Sequence, residues 1–324
     1  KKKVLRGREN WGKGANVGGS EVERARAAAP KKSVPTPPPP TPPQAAAVLA
    51  APAPTPVPPV VPAKPKSLKP PKKLMKKIGE ALMQWKMISD GDRLLLGLSG
   101  GKDSLTLLHC LLDIQKRAPV KFELACCTID PMTPSFDPSP LIPYVEGLGV
   151  KYHYIREAIV DKAQTAGPGG GVVTSLCSFC ARMKRGLLYT TAREGGYNKL
   201  VLAQHLDDLA ESFFMSAIHN GFLRTMKANY RVGSEDLHVI RPLAYARESM
   251  MRDYALSSSL PVVNENCPAC FEEPKERARI KKLLSKEEKL CPAMFDNLRK
   301  AMAPLMDKGV GDMCREFGEV VVDR

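Results

Sequence analysis

The chain has 324 residues, 43% of them hydrophobic, nine cysteines, and a formal net charge of +15 at pH 7. No stretch approaches the roughly 18 consecutive apolar residues that a membrane-spanning helix needs, and the cysteine pattern is not the framework of a small secreted disulfide protein. The charge is unevenly placed: residues 1–73 hold 15 Lys/Arg against 3 Asp/Glu, which leaves the remainder nearly balanced.

Seventeen of the 30 prolines fall between Pro30 and Pro71. Such a segment lacks the backbone donors for helix or sheet and reads as a disordered, basic, polyproline-II-like tail over 1–73. The foldable region is then 74–310, with 311–324 as a C-terminal extension. The tail suits nonspecific affinity for RNA or another acidic surface. It also suits a linker or the end of an organelle-targeting segment, being poor in acids. The chain opens on Lys1 rather than Met, which points to a fragment or processed form. The expected location is cytoplasmic, or an organelle stroma or matrix if the tail is a targeting remnant.

Leu74 to Ile88 has helical spacing of Leu74, Ile78, Leu82 and Trp85. Ser89–Asp92 is a turn, and Arg93–Leu98 is an apolar run of strand length. A helix over about 104–116 follows, then a strand Phe122–Ile129 closed by Asp130-Pro131, a helix near 141–148 and a strand Tyr152–Ile155. The glycine-rich run 167–171 is a loop leading to Cys177-Ser178-Phe179-Cys180 and a helix to about Glu194. Lys199–Ala203 is a strand, and Gln204-His205-Leu206-Asp207-Asp208 opens a helix to His219. Beyond Gly221, Arg224, Lys227, Tyr230 and Arg231 form a basic patch with an aromatic. A short strand Val239-Ile240, a helix from about Arg247 and two polar helices near 274–285 and 293–307 complete the chain. Strand–helix alternation with short turns predicts an α/β fold with a doubly wound parallel sheet.

The string Ser99-Gly100-Gly101-Lys102-Asp103-Ser104 lies between the first strand and its helix. Glycines there let backbone N–H groups approach an anion, and the helix start adds positive partial charge. The loop does not fit G-x-x-x-x-G-K-[ST]: three residues separate Gly97 from Gly101, and Asp103 follows Lys102. An acid beside the phosphates suits a metal-bound pyrophosphate. In a doubly wound sheet ligands gather at the carboxyl ends of strands, where Asp130, His205, Asp207 and Asp208 also fall. The two aspartates suit Mg2+ on nucleotide phosphates, with Asp103 as a helper; they equally suit capping of the next helix. Cys177/Cys180 and Cys267/Cys270 are two C-x-x-C pairs, consistent with a structural zinc, an iron–sulfur cluster or a redox dithiol. Lys184 and Arg185 place cations one turn beyond the first pair. Cys110, Cys126 and Cys127 read as core residues.

Taken together, Ser99–Ser104, the Cys177–Cys180 pair with Lys184-Arg185-Gly186, His205–Asp208, Ile240-Arg241-Pro242-Leu243-Ala244-Tyr245 and the Cys267/Cys270 pair resemble the tRNA 2-thiocytidine synthetase family of PP-loop sulfur transferases, over residues 74–307. Gln204 and Leu206 depart from that pattern, which suggests a divergent branch. The resemblance implies ATP, Mg2+ and a [4Fe-4S] cluster held by Cys177, Cys180 and either Cys270 or Cys267. It implies adenylation of the C2 oxygen of an anticodon-loop cytidine (cytidine 32 in the family), then replacement by sulfur. Lys184 and Asp207 are the implied catalytic residues. The implied nucleotide-binding residues are Ser99, Gly100, Gly101, Lys102, Asp103, Ser104, Asp130, His205 and Asp208. Partners would be tRNA and a cysteine desulfurase or other sulfide donor; a homodimer is compatible. Two alternatives stay open: an adenylating ligase or amidating enzyme with structural zinc, and a non-enzymatic nucleotide- and RNA-binding module.

Overall fold

The structure is a computed structural model describing residues 69–133, 136–167, 171, 175–233, 236–263 and 276–307. Of the basic tail expected over 1–73, residues 1–68 lie outside the described residues, as do the second cysteine pair and the C-terminal extension, and the first helix already begins at Lys72.

Arg93–Leu98 was expected as the first strand, and β1 forms over Asp92–Gly97. Leu94, Leu95 and Leu96 are all fully buried, as a strand covered on both faces requires. The other strands are β2 (Phe122–Asp130), β3 (Lys151–Arg156), β4 (Lys199–Val201), β5 (Asn229–Val232) and β6 (Leu237–Ile240). They form one sheet in the order β3-β2-β1-β4-β6-β5. All neighbours pair in parallel except β5 and β6, which are antiparallel. The parallel expectation therefore needs one correction at the edge. Tyr230 and Arg231, expected in a basic patch, are the middle of edge strand β5.

Helices cover both faces. α1 (Lys72–Gln84), α2 (Lys102–Arg117), α3 (Leu141–Gly147), α6 (Leu206–Met215), α7 (Glu248–Ser257), α8 (Glu276–Leu290) and α9 (Met294–Met302) supply one core with Leu94 and Leu96. α4 (Ile159–Ala163) and α5 (Leu176–Glu194) pack on the opposite face with Leu95, Ala125, Cys127 and Leu200. The period-2 alternation of side chains along β1 thus feeds two cores, which is what a doubly wound sheet needs. Cys110, Cys126 and Cys127 are buried as expected, and burial raises their thiol pKa values, that of Cys127 to about 12. They stay protonated and inert.

The chain order 1–2–3 runs outward from β1 on one side, and β4 then starts the other side. The crevice at the carboxyl ends of β1 and β4 is therefore the switch point, where such folds bind ligands.

A candidate nucleotide site with a cysteine-bearing helix

The loop after β1 turns at Gly100 with φ +82, a conformation that costs glycine little and other residues more. Space also demands glycine: a Cβ there would lie 3.0 Å from Val263 Cβ and 3.2 Å from Leu141 Cδ1. Gly101 caps α2 in extended conformation. Its N–H donates to Ser99 Oγ at 3.3 Å, and Ser104 Oγ donates to its carbonyl at 3.0 Å. The two hydroxyls, Ser99 and Ser104, stand 3.2 Å apart. The loop thereby presents the start of a 16-residue helix, with its unpaired N–H groups, to the crevice.

Lys102 Nζ donates to Asp103 Oδ2 at 3.1 Å and to Glu248 Oε1 at 2.9 Å. Burial works against its charge, but Glu248 and Asp103 override that and leave its pKa above the ordinary lysine value. Burial pushes the Asp103 carboxyl up, against the pull of His205 and Lys102. Asp103 Oδ1 is buried and accepts no hydrogen bond from the described residues. A buried acceptor left open in this way suits a bound cation.

β4 ends at Val201, and α6 begins with His205 as its N-cap. His205 is 4% exposed, and its Nδ1 accepts from Asp208 N at 3.3 Å while Asp208 Oδ2 accepts from His205 N at 3.0 Å. This reciprocal pair is a capping box with a histidine in the usual Ser/Thr place, so the capping role weighed for Asp208 is present. His205 Nε2 lies 3.9 Å from Asp103 Oδ2 and 3.3 Å from Asp208 Oδ2, which brings α2 and α6 together at the crevice. Asp207 Oδ2 lies 3.6 Å from His205 Nδ1, and the same carboxylate also reaches α7. Its Oδ1 accepts from Arg247 Nη2 at 3.1 Å, and its Oδ2 accepts from Glu248 N at 2.8 Å, the first N–H of α7. Asp130, at the end of β2, accepts from Tyr154 Oη at 2.9 Å and from Met132 N at 2.8 Å.

Several charged groups of the site were not singled out from the sequence. Glu248 sits between Lys102 and Lys281, whose Nζ donates to Oε2 at 2.6 Å. Arg247 also grips Glu288 at 2.6 Å, and Arg277 donates to Glu211 Oε2 at 2.6 Å and to Asp208. Arg277, Lys281 and Glu288 are spaced four and seven apart, on one face of α8. That spacing was the available signal; which acids they meet is set by the tertiary fold. Burial alone would raise the Glu248 pKa, but hydrogen bonds from Lys281 and Lys102 pull it from 4.5 to about 2. Its ion pairs therefore stabilise the fold fully above pH 4.5 and are lost as the pH falls from there toward 2. Glu248→Gln is expected to flatten the melting temperature over that acid window while leaving its dependence near neutrality unchanged, read by thermal denaturation between about pH 3 and pH 7.

On the opposite face of the sheet, Ser175 caps α5 by accepting from Ser178 N at 3.4 Å. Cys177 and Cys180 lie inside this helix near its start, not ahead of it as the sequence suggested. With Lys184 they are spaced three and four apart and so share one face. Cys177 is exposed, Cys180 and Lys184 are half-buried, and Lys184 Nζ stands 5.6 Å from the centroid of the Phe136 ring. Among the described residues no three His, Cys, Asp or Glu side chains converge as a ready-made metal centre. The segment that carries Cys267 and Cys270 is outside the described residues, but its two flanks are fixed. Val263 N donates to Gly100 O at 3.0 Å, and Arg277 reaches Glu211 at the other flank.

The family described as "PP-loop domain" matches residues 70–287. A tRNA-cytidine(32) 2-sulfurtransferase of Stenotrophomonas maltophilia is 37% identical over 242 residues, 74% of this chain and 78% of that protein. The protein of the same name from Geobacter sulfurreducens is 37% identical over 75% of this chain and 93% of its own length. The chain belongs to the PP-loop family of the tRNA-cytidine(32) 2-sulfurtransferases. Among solved structures, the U34-tRNA thiolase NcsA of Methanococcus maripaludis, described with its [4Fe-4S] cluster, aligns with TM-score 0.61 at 21% identity over 73% of this chain and 78% of that one. That likeness is one of fold. Membership of the PP-loop family fits a glycine loop that departs from the Walker pattern, and no helix among the described residues is long and apolar enough to cross a membrane.

Proposed function

We propose that this protein is an ATP-dependent tRNA sulfurtransferase that exchanges the C2 oxygen of an anticodon-loop cytidine, cytidine 32 by kinship, for sulfur. The observation that carries this reading is the pairing of an adenylating loop with a C-x-x-C helix in a chain 37% identical to enzymes of that name. In the first step the base oxygen attacks the α-phosphorus of ATP, and pyrophosphate leaves. In the second, sulfide attacks C2 and AMP departs with the original oxygen.

Each residue has a part in that scheme. The loop N–H groups and Lys102 hold the departing pyrophosphate, and Ser99 and Ser104 add hydroxyl contacts. Mg2+ fits Asp103, whose Oδ1 is buried and open, with Asp208 and Asp130 near the same strand ends and the remaining ligands from phosphate oxygens and water. Asp207 acts at one remove, anchoring Arg247 and the start of α7 so that Glu248 faces Lys102. Lys184, one turn above the cysteines, offers its cation to the activated base or to AMP.

The thiol pair fits a cluster: two sulfurs on one helix turn, at least one exposed, with the third ligand drawn from Cys267 or Cys270. When bound, a [4Fe-4S] cluster with three protein ligands supplies an open iron at which inorganic sulfide can be held. Cys177 and Cys180 would hold it at the start of α5, a helix anchored on the same sheet as the loop. The sulfide itself comes from a cysteine desulfurase or an equivalent donor. Nucleoside mass spectrometry of tRNA incubated with anaerobically reconstituted protein, ATP, Mg2+ and sulfide tests the reading: 2-thiocytidine should form only when all are present. Colourless protein with one zinc per chain, releasing pyrophosphate without thiolating tRNA, would favour the ligase reading instead.

A further inference from the structure

Arg241, at the carboxyl end of β6, is only 8% exposed, yet no described carboxylate pairs with it. Its partners are neutral. Nε donates to Gln204 Oε1 at 2.9 Å, Nη1 donates to Lys227 O at 2.6 Å, and the guanidinium lies 5.5 Å from the Tyr230 ring centroid. Burial holds its pKa below the ordinary arginine value, and Arg185 pushes the same way against Tyr230 and Tyr189. A buried cation whose described partners are all neutral is unfavourable until an anion joins it. Arg185 is exposed on α5, directly after Lys184. The Tyr189 and Tyr230 hydroxyls stand 3.4 Å apart, and Arg185 lies four residues before Tyr189 on α5, so the two side chains share a face. The cluster touches the proposed centre at two places: Gln204 immediately precedes His205, and Arg185 immediately follows Lys184.

We propose that Arg185 and Arg241, with the Tyr189–Tyr230 hydroxyl pair, clamp one phosphodiester of the bound RNA. A planar guanidinium matches two phosphate oxygens, and phosphate contacts fix register without reading sequence. The clamp would seat the backbone beside the target base, between the loop that activates it and the helix that carries the cysteines. This rests on the RNA-modifying reading above. The shared chemistry is a phosphate oxyanion, which ATP could also supply, and the binding experiment separates the two sources.

The experiment measures tRNA and ATP affinity of wild type, Arg185→Gln, Arg241→Gln and Tyr189→Phe across a salt series. Arg185→Gln and Arg241→Gln are each expected to weaken tRNA about tenfold and to lower the slope of log affinity against log salt by roughly one, with ATP affinity unchanged. Tyr189→Phe should weaken tRNA less and leave the slope alone. An unchanged slope in Arg185→Gln overturns the clamp, and so does a loss confined to ATP. Arg185 is exposed, so its substitution decides the matter even if Arg241→Gln lowers the melting temperature. Wild type that binds and thiolates tRNA beside variants of unchanged slope overturns the clamp alone. Wild type that holds no tRNA overturns both readings.

Discussion

Lys102→Ala is expected to lower kcat/KM for tRNA-dependent pyrophosphate release by at least ~100-fold, the scale seen when one preorganised charge on a developing anion is removed. The lysine is already positioned: two acids hold its Nζ within 3.1 Å at the mouth of the loop. Those acids also set a condition. Phosphates arriving at Lys102 must share it with Glu248, and Lys281 is there to take up Glu248 when they do. Lys102→Arg should recover part of the rate, because charge returns but the compact ammonium geometry does not. The measurement is steady-state pyrophosphate release with tRNA and saturating Mg2+. A Lys102→Ala rate within about threefold of wild type would remove this residue from the leaving-group role.

The contrast between Lys102 and Glu248 shows what the sequence makes legible. Ser99–Ser104 could be read directly because its chemistry is local: glycines, a lysine and hydroxyls in six consecutive positions after an apolar run. Strands β1 and β2 were equally plain, since Leu94–Leu96 and 125–130 are continuous buried runs. Glu248 is 146 residues from Lys102, and no periodicity announces that pairing. The same holds for Arg277 with Glu211 and Asp208, which α8 delivers from 66 and 69 residues away. Edge strand β5 was missed for a different reason. Asn229-Tyr230-Arg231-Val232 has mixed polarity and pairs on one side only, so it lacks the apolar alternation of an inner strand. The aspartate pair divides as well. Both carboxylates open α6, but Asp208 closes the capping box while Asp207 reaches across to α7.

Cys177→Ala and Cys180→Ala are expected to separate the two half-reactions. Cys177 is exposed near the start of α5, whose cap is Ser175, and Cys180 is half-buried against the core of that face. Truncation should cost little stability at Cys177, alanine being the stronger helix former, and up to about 1 kcal/mol at Cys180. Pyrophosphate release should stay within about threefold of wild type, because Lys102, Asp103 and the loop are on other elements. Thiolated cytidine should fall below detection, and the visible absorbance of anaerobically reconstituted protein should disappear. Cys126→Ala supplies the opposite pattern. That thiol is fully buried, and burial keeps it protonated, so its loss opens a small void, lowers stability by about 1 kcal/mol, and spares both absorbance and thiolation. If Cys177→Ala instead lost pyrophosphate release in step with thiolation, the cysteine helix would have to act in activation. The division of labour between the loop and α5 would then fail.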